Sequence, residues 1–181
     1  MIKILLRLIC ILYLAGFSAV GLAKIGVSAG IGAGTHKVHA HRLNLQRDWG
    51  RQCTTPNGCK VNGYWELAFS ELSAAKNSTY VTNRFAQSTS LSGTARIIKN
   101  IGVAIYFDIG IGVAYMSKRV IAGRDLGAHL LFEERLGTGF LFDKDKRLEL
   151  GYRFVHYSNG YLARVNQSLN LHLLVLGYWF N

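Results

Sequence analysis

Proline is almost absent from this chain, occurring once in 181 residues, at Pro56. No Pro-rich stretch therefore divides the sequence, and its length suits one domain. Acidic side chains are scarce too, 10 against 21 Lys and Arg, giving a formal net charge of +11. Cysteine is limited to three positions, and no partner ligands stand at zinc-finger spacing, which argues against a metal site. Long apolar runs are missing after residue 23, so no helix is expected to cross a membrane.

The N-terminus holds the one such run. Lys3 and Arg7 lead into Leu8–Leu22, and Gly21-Leu22-Ala23 makes a small-residue cleavage site before Lys24. This reads as a cleaved signal peptide over 1–23, leaving a mature domain over 24–181. The alternative is an anchor helix, but the run is short for a span of about 20 residues. Cys10 lies inside it without the small-residue context of a lipoprotein site. Loss of Lys3 and Arg7 takes the charge from +11 to +9. Cys53 and Cys59 bracket the turn-rich Thr54-Thr55-Pro56-Asn57-Gly58. In an exported chain they are expected to form a disulfide closing a small loop.

What is present is glycine, 20 residues of it, and period-2 alternation. Ile25, Val27, Ala29, Ile31 and Ala33 alternate with Gly and Ser. Val103, Ile105, Phe107, Ile109, Ile111 and Val113 alternate with Gly, Ala, Tyr and Asp. Alternate residues of a strand share a face. Eight strands are expected, near 25–36, 38–49, 61–72, 86–98, 101–116, 126–142, 146–159 and 170–180. The second is the weakest, because His39, His41, Arg42 and Arg47 blur its faces.

A soluble sandwich would bury the large apolar face and expose a richly charged one. Here the second face is mainly Gly, Ser and Ala, as in a narrow barrel interior. The strands are long enough to cross a bilayer at a tilt, and closure satisfies backbone groups in lipid. The chain ends in Gly177-Tyr178-Trp179-Phe180, an aromatic end suited to a membrane interface. The reading is an all-β, eight-stranded antiparallel transmembrane β-barrel in the outer membrane. Nucleic acid is a poor partner for such a chain; a phosphate-rich anionic membrane surface suits its charge, with a merely basic solvated surface as the alternative. Turns near 50–60, 99–100 and 143–146 would be periplasmic, and those near 73–85, 117–125 and 160–169 external.

The stretch 148–160 carries chemistry. Leu148, Leu150, Tyr152 and Phe154 share one face, and His156 and Ser158 continue it. A Ser with a nearby His is the minimal acyl-transfer pair, the His taking the hydroxyl proton as Ser attacks a carbonyl. The other reading is polar residues marking a strand end. In a barrel, however, this face is the lipid side, where unpaired polar groups are costly. A reactive site drawing its substrate from the membrane accounts for them.

The sequence resembles the outer-membrane lipid A 3-O-deacylases of the PagL type. The strongest parts are Gly110-Ile111-Gly112-Val113-Ala114, Leu126-Gly127, Phe132-Glu133-Glu134-Arg135 with Gly137 and Gly139, and Arg153 through His156-Tyr157-Ser158-Asn159. Gly63-Tyr64-Trp65 and the first strand agree more weakly. The resemblance implies hydrolysis of the ester-linked 3-hydroxyacyl chain at position 3 of lipid A, in lipopolysaccharide of the outer leaflet, without metal or cofactor. It implies Ser158 as nucleophile, His156 as general base and Asn159 in the oxyanion hole. Strict alternation points Asn159 inward, so a distortion is expected there, eased by Gly160. The family follows this Asn with Ala-Gly, whereas this chain has Gly160-Tyr161.

The family's acidic residue, which orients the His, falls on Asn170. Asn can accept from an imidazole N–H but carries no charge. Glu134 is the second candidate, because a strand register summing near 290 would set it opposite His156; neither is the third reading. His36, His39 and His41 alternate near the first external turn, where metal binding is conceivable and solvated or phosphate-contacting roles are favoured. His129 and His172 carry no clear signal. A catalytically silent structural or lipopolysaccharide-binding barrel is the alternative function, a channel is disfavoured by the filled interior of eight strands, and a homodimer masking the outward site is left open.

Overall fold

The structure is a computed structural model and describes residues 23–74, 84–143 and 145–180. The signal peptide expected over 1–23 lies, but for Ala23, outside these residues. The strands are β1 (Ile25–Gly34), β2 (Val38–Asp48), β3 (Cys53–Thr54), β4 (Lys60–Ala74), β5 (Phe85–Asn100), β6 (Ala104–Met116), β7 (Val120–Ile121), β8 (Arg124–Asp125), β9 (Leu130–Phe142), β10 (Leu148–Ser158) and β11 (Leu169–Phe180). Eight of them are long, 10 to 16 residues, enough to cross a bilayer at a tilt. Each pairs antiparallel with its neighbour, and closure comes from β1 pairing with both β2 and β11 while β2 pairs β4. Among the described residues no helix is long and apolar enough to cross a membrane.

Alternation holds along every stave. β2, the strand with blurred faces in sequence, is among the most regular: Val38, Ala40, Arg42, Asn44 and Gln46 point inward, and His39, His41, Leu43 and Leu45 outward. The blur arose because the interior is polar. Four arginines and four carboxylates are buried inside the barrel: Arg42, Arg96, Arg135, Arg153, Glu66, Asp108, Glu133 and Glu149. Arg42 donates to Glu133 at 2.8 Å and Glu66 at 3.3 Å. Glu66 also accepts from Arg153 at 3.0 Å and from Arg135. Nearer the end where the first strand begins and the last one finishes, Arg96 bridges Asp108 at 2.7 Å and Glu149 at 2.8 Å.

Space for these groups comes from glycine. A Cβ at Gly151 would stand 1.9 Å from Tyr106 Oη, the hydroxyl that donates to Glu149 at 3.0 Å. The outer end is closed differently, by an apolar cluster containing Val38, Leu72, Met116, Leu126, Leu131 and Leu169. The small β7–β8 hairpin lies over it, with Ile121 fully buried.

One expectation, the disulfide, is corrected, and one, the aromatic end, is refined. Cys53 and Cys59 are free thiols. The β3–β4 hairpin pairs Cys53 with Val61 and hydrogen-bonds Thr55 to Cys59, leaving the cysteines as diagonal neighbours. Such diagonals are about 7–8 Å apart, beyond the reach of a disulfide at roughly 7 Å. The aromatic end is also divided. Tyr178 and Phe180 meet edge-on outside at 5.0 Å, whereas Trp179 points inward and donates to Glu149 at 3.2 Å.

The turn from β9 to β10 fixes the register that the site depends on. Asp143 Oδ1 accepts from the Arg147 backbone N–H at 2.7 Å, and this bond holds the Asp143 carboxyl below its usual range. With Phe142 opposite Leu148, the pairing runs on to set Glu134 opposite His156 and Phe132 opposite Ser158.

Candidate active site

Phe154, His156 and Ser158 occupy the outward face at the outer end of β10, each half-buried, with Val155 and Tyr157 fully buried between them. Cα atoms two apart on a strand are separated by about 6.6 Å, so the His and Ser side chains lean along one face. No hydrogen bond joins Ser158 Oγ to the imidazole among the described residues, and catalytic bonds of this kind often tighten only when substrate is bound.

Across the strand pair from His156 stands Asn170 of β11. Its Oδ1 lies 2.6 Å from His156 Nδ1. An amide oxygen can only accept, so Nδ1 carries the proton and Nε2 is left as the proton acceptor. Asn170 is held in turn by the turn after β1. The Thr35 hydroxyl accepts from the Asn170 backbone N–H at 3.0 Å and lies 3.4 Å from its carbonyl oxygen. Gly34 permits this approach, because a Cβ there would stand 1.9 Å from the Asn170 carbonyl oxygen.

Glu134 lies on the other side of His156, its cross-strand partner in β9, and faces outward. It makes no hydrogen bond or ion pair among the described residues. Its sequence neighbours Glu133 and Arg135 point into the barrel. The geometry thus brings Asn170 into contact with the imidazole and sets Glu134 beside it.

Asn159 follows Ser158 and points inward, only 1% exposed, as alternation requires. The distortion comes one residue later, where Gly160 and Tyr161 take φ of 62° and 63°. Both donor groups of Asn159 are engaged. Its backbone N–H donates to Asn166 Oδ1 at 2.9 Å, and its amide donates to the carbonyls of Leu126 and Val165 at 2.8 and 2.6 Å. Gly127, with φ of 77°, fits against this knot; a Cβ there would stand 2.5 Å from Asn159 Nδ2.

Thr35 and Asn166 had no signal in the sequence. The three N-terminal histidines separate: His36 Nδ1 lies 3.0 Å from the Ala122 carbonyl, while His39 and His41 face outward from β2. His172 lies 2.6 Å from the Tyr152 hydroxyl on the outer surface, and His129 lies 2.7 Å from the Met116 carbonyl. Among the described residues no group of three metal-ligating side chains converges.

This constellation can be set beside known proteins. The profile of the lipid A 3-O-deacylase (PagL) family matches residues 38–179. Lipid A deacylase PagL of Pseudomonas aeruginosa is 27% identical over 176 residues, 93% of this chain and 95% of that protein. The PagL of Bordetella bronchiseptica is 30% identical over 79 residues, 44% of this chain and 43% of that protein. The crystal structure of the outer membrane enzyme PagL superposes with a TM-score of 0.73 at 25% identity, covering 84% of this chain and 98% of that one. A match running from β2 to the last strand takes in the barrel and the outward His156–Ser158 face alike, and the chain belongs to the lipid A 3-O-deacylase family.

Proposed function

We propose that this chain hydrolyses the ester-linked 3-hydroxyacyl chain at position 3 of lipid A at the outer surface of its barrel. The observation that carries the reading is the 2.6 Å contact between His156 Nδ1 and Asn170 Oδ1, on the same outward face as Ser158. In this reading Ser158 Oγ attacks the ester carbonyl and His156 Nε2 takes its proton. The tetrahedral centre collapses as His156 returns that proton to the departing sugar hydroxyl, leaving an acyl-Ser158 ester. Water, deprotonated by the same nitrogen, then releases the hydroxy fatty acid and regenerates Ser158.

The Asn159 N–H stands directly after the nucleophile and donates to the neutral Asn166 side chain. It is the group that would turn to the carbonyl oxygen as negative charge develops. Asn170 keeps the tautomer but supplies no charge for the imidazolium. Charge–charge stabilisation at about 4 Å is of order 4 kcal/mol at an effective dielectric near 20, so the site runs below the rate an acid would give. The neutral residue also favours a second reading, a silent barrel that binds lipopolysaccharide without turnover.

Mature protein in detergent, given lipopolysaccharide beside a Ser158→Ala control, distinguishes the two. Release of 3-hydroxy fatty acid by the native chain alone supports the hydrolase; equal background from both leaves the silent barrel. The outward site is also a surface that a second barrel would shield from lipid. Cross-linking in outer membranes checks for that homodimer, and recovery of monomer alone removes it.

A further inference from the structure

The outer face beside His156 and Asn170 carries polar side chains that the deacylation steps leave unused. His172 follows Asn170 by two residues on the outward face of β11. Its cross-strand partner Ala33 is also the partner of His39 on β2. A single small residue therefore lies between two outward histidines, whose strands stand about 9.6 Å apart across β1. Ile31, Ala33, His39, His41, Tyr152 and His172 line one surface groove of about 750 Å³. Tyr152 Oη lies 2.6 Å from His172 Nδ1. With the hydroxyl as donor, the proton of that ring sits on Nε2, available to an acceptor in the groove.

A second groove lies further down the same strand, about 670 Å³, lined by Val27, Ala29, Leu43, Leu67, Phe69 and Leu176 among others. It is nearly all apolar and suits an acyl chain. The upper groove differs in kind: histidines, a tyrosine hydroxyl and Ser73 would be stranded against hydrocarbon. Its side chains do not converge as metal ligands among the described residues. All can donate hydrogen bonds, and exposed Lys37 stands two residues before His39. The nearby carboxylate, Glu71, is the cross-strand partner of His41, not of His39 or His172.

We infer that the groove between His39 and His172 binds a phosphate carried on the headgroup of the lipid whose ester reaches Ser158. The inference rests on the deacylase reading for the identity of that lipid. A phosphate there presents acceptor oxygens to histidine donors from both walls, and holds the headgroup two residue pairs along the ladder from the His156–Asn170 contact. Charge-assisted hydrogen bonds of this kind are the strong ones.

The test uses full-length mature Ser158→Ala protein in detergent, so binding is read without turnover. Its affinity for phosphorylated lipid A and for enzymatically dephosphorylated lipid A is compared with that of the same protein carrying His39→Leu and His172→Leu, which remove the donors. The exposed substitutions should leave heat-resistant migration of the barrel unchanged. The expected result is a loss of about tenfold or more for the phosphorylated lipid and equal binding of the dephosphorylated lipid by both. Equal losses for the two lipids, or none, overturn the inference. Competition by inorganic phosphate alone at lipid-like concentrations would make the ligand a free anion and overturn the lipid assignment. Fatty-acid release by the native chain is scored separately: phosphate-dependent binding without release keeps this site and removes the deacylase, and the opposite pattern does the reverse.

Discussion

Asn170 concentrates the chemistry of this chain in one side chain. An imidazole flanked by an acid gains both a fixed tautomer and a countercharge; His156 gains only the first from Asn170, at 2.6 Å. Asp→Asn at the orienting position of a serine protease lowers turnover by about 10⁴, because that Asn leaves the wrong tautomer. Here the tautomer survives, so the two contributions separate. Asn170→Ala should lower kcat by roughly 10²-fold or more while the barrel still resists heat in detergent, and Asn170→Glu should raise kcat above that of the native chain. Full activity in the Ala variant would remove Asn170 from the mechanism. This much was legible, because the family resemblance with strand parity pointed to Asn170 and a register sum set Glu134 opposite His156, and the two flank it. Parity could not say which of two flanking residues makes the contact. Nor could it show that the donors of Asn159 are tied to Asn166, Leu126 and Val165, since those partners sit in loops without period.

At the scale of elements, the staves were readable and their connections were not. Alternation marks a half-buried strand wherever one face is apolar, and all eight staves lie where the pattern put them. The strand expected from 126 begins at Leu130, because Gly127 turns at φ 77° and joins the knot around Asn159. The strand expected from 101 begins at Ala104, since Gly102 takes φ 97°. Thr35 was invisible for another reason: its partner Asn170 is 135 residues away, and closure of the barrel is what brings the first turn against the last strand. That contact is testable. Thr35→Val keeps the shape and loses the hydroxyl, so Asn170 loses its backbone partner; kcat should fall about tenfold with KM unchanged. Thr35→Ser should restore it. Equal activity in both variants would show that the turn merely closes the barrel.

For the whole molecule, the inside and outside of the barrel divide the labour. Four buried arginines and four buried carboxylates cancel inside, so the net positive charge belongs to the ends and the outer surface, where an anionic lipid can meet it. Among the described residues this charge-matched network fills the interior, which disfavours a channel, and it ties together the strands that assemble the site. Glu66 is the hub: Arg42, Arg135 and Arg153 all donate to it, with Gln46 at 2.8 Å. Removing its charge leaves Arg42 and Arg135 sharing Glu133 and takes away the carboxylate that Arg153 pairs with, and breaking a buried pair in this way costs about 3–5 kcal/mol. Glu66→Gln should therefore unfold at markedly lower urea or temperature in detergent, read by loss of the compact, heat-resistant band. Arg47→Gln on the outer face should move that transition by no more than about 0.5 kcal/mol. If Glu66→Gln were as stable as the native barrel, the interior network would be filler, and the register of the site would have to come from the outer-end apolar cluster and the turns alone.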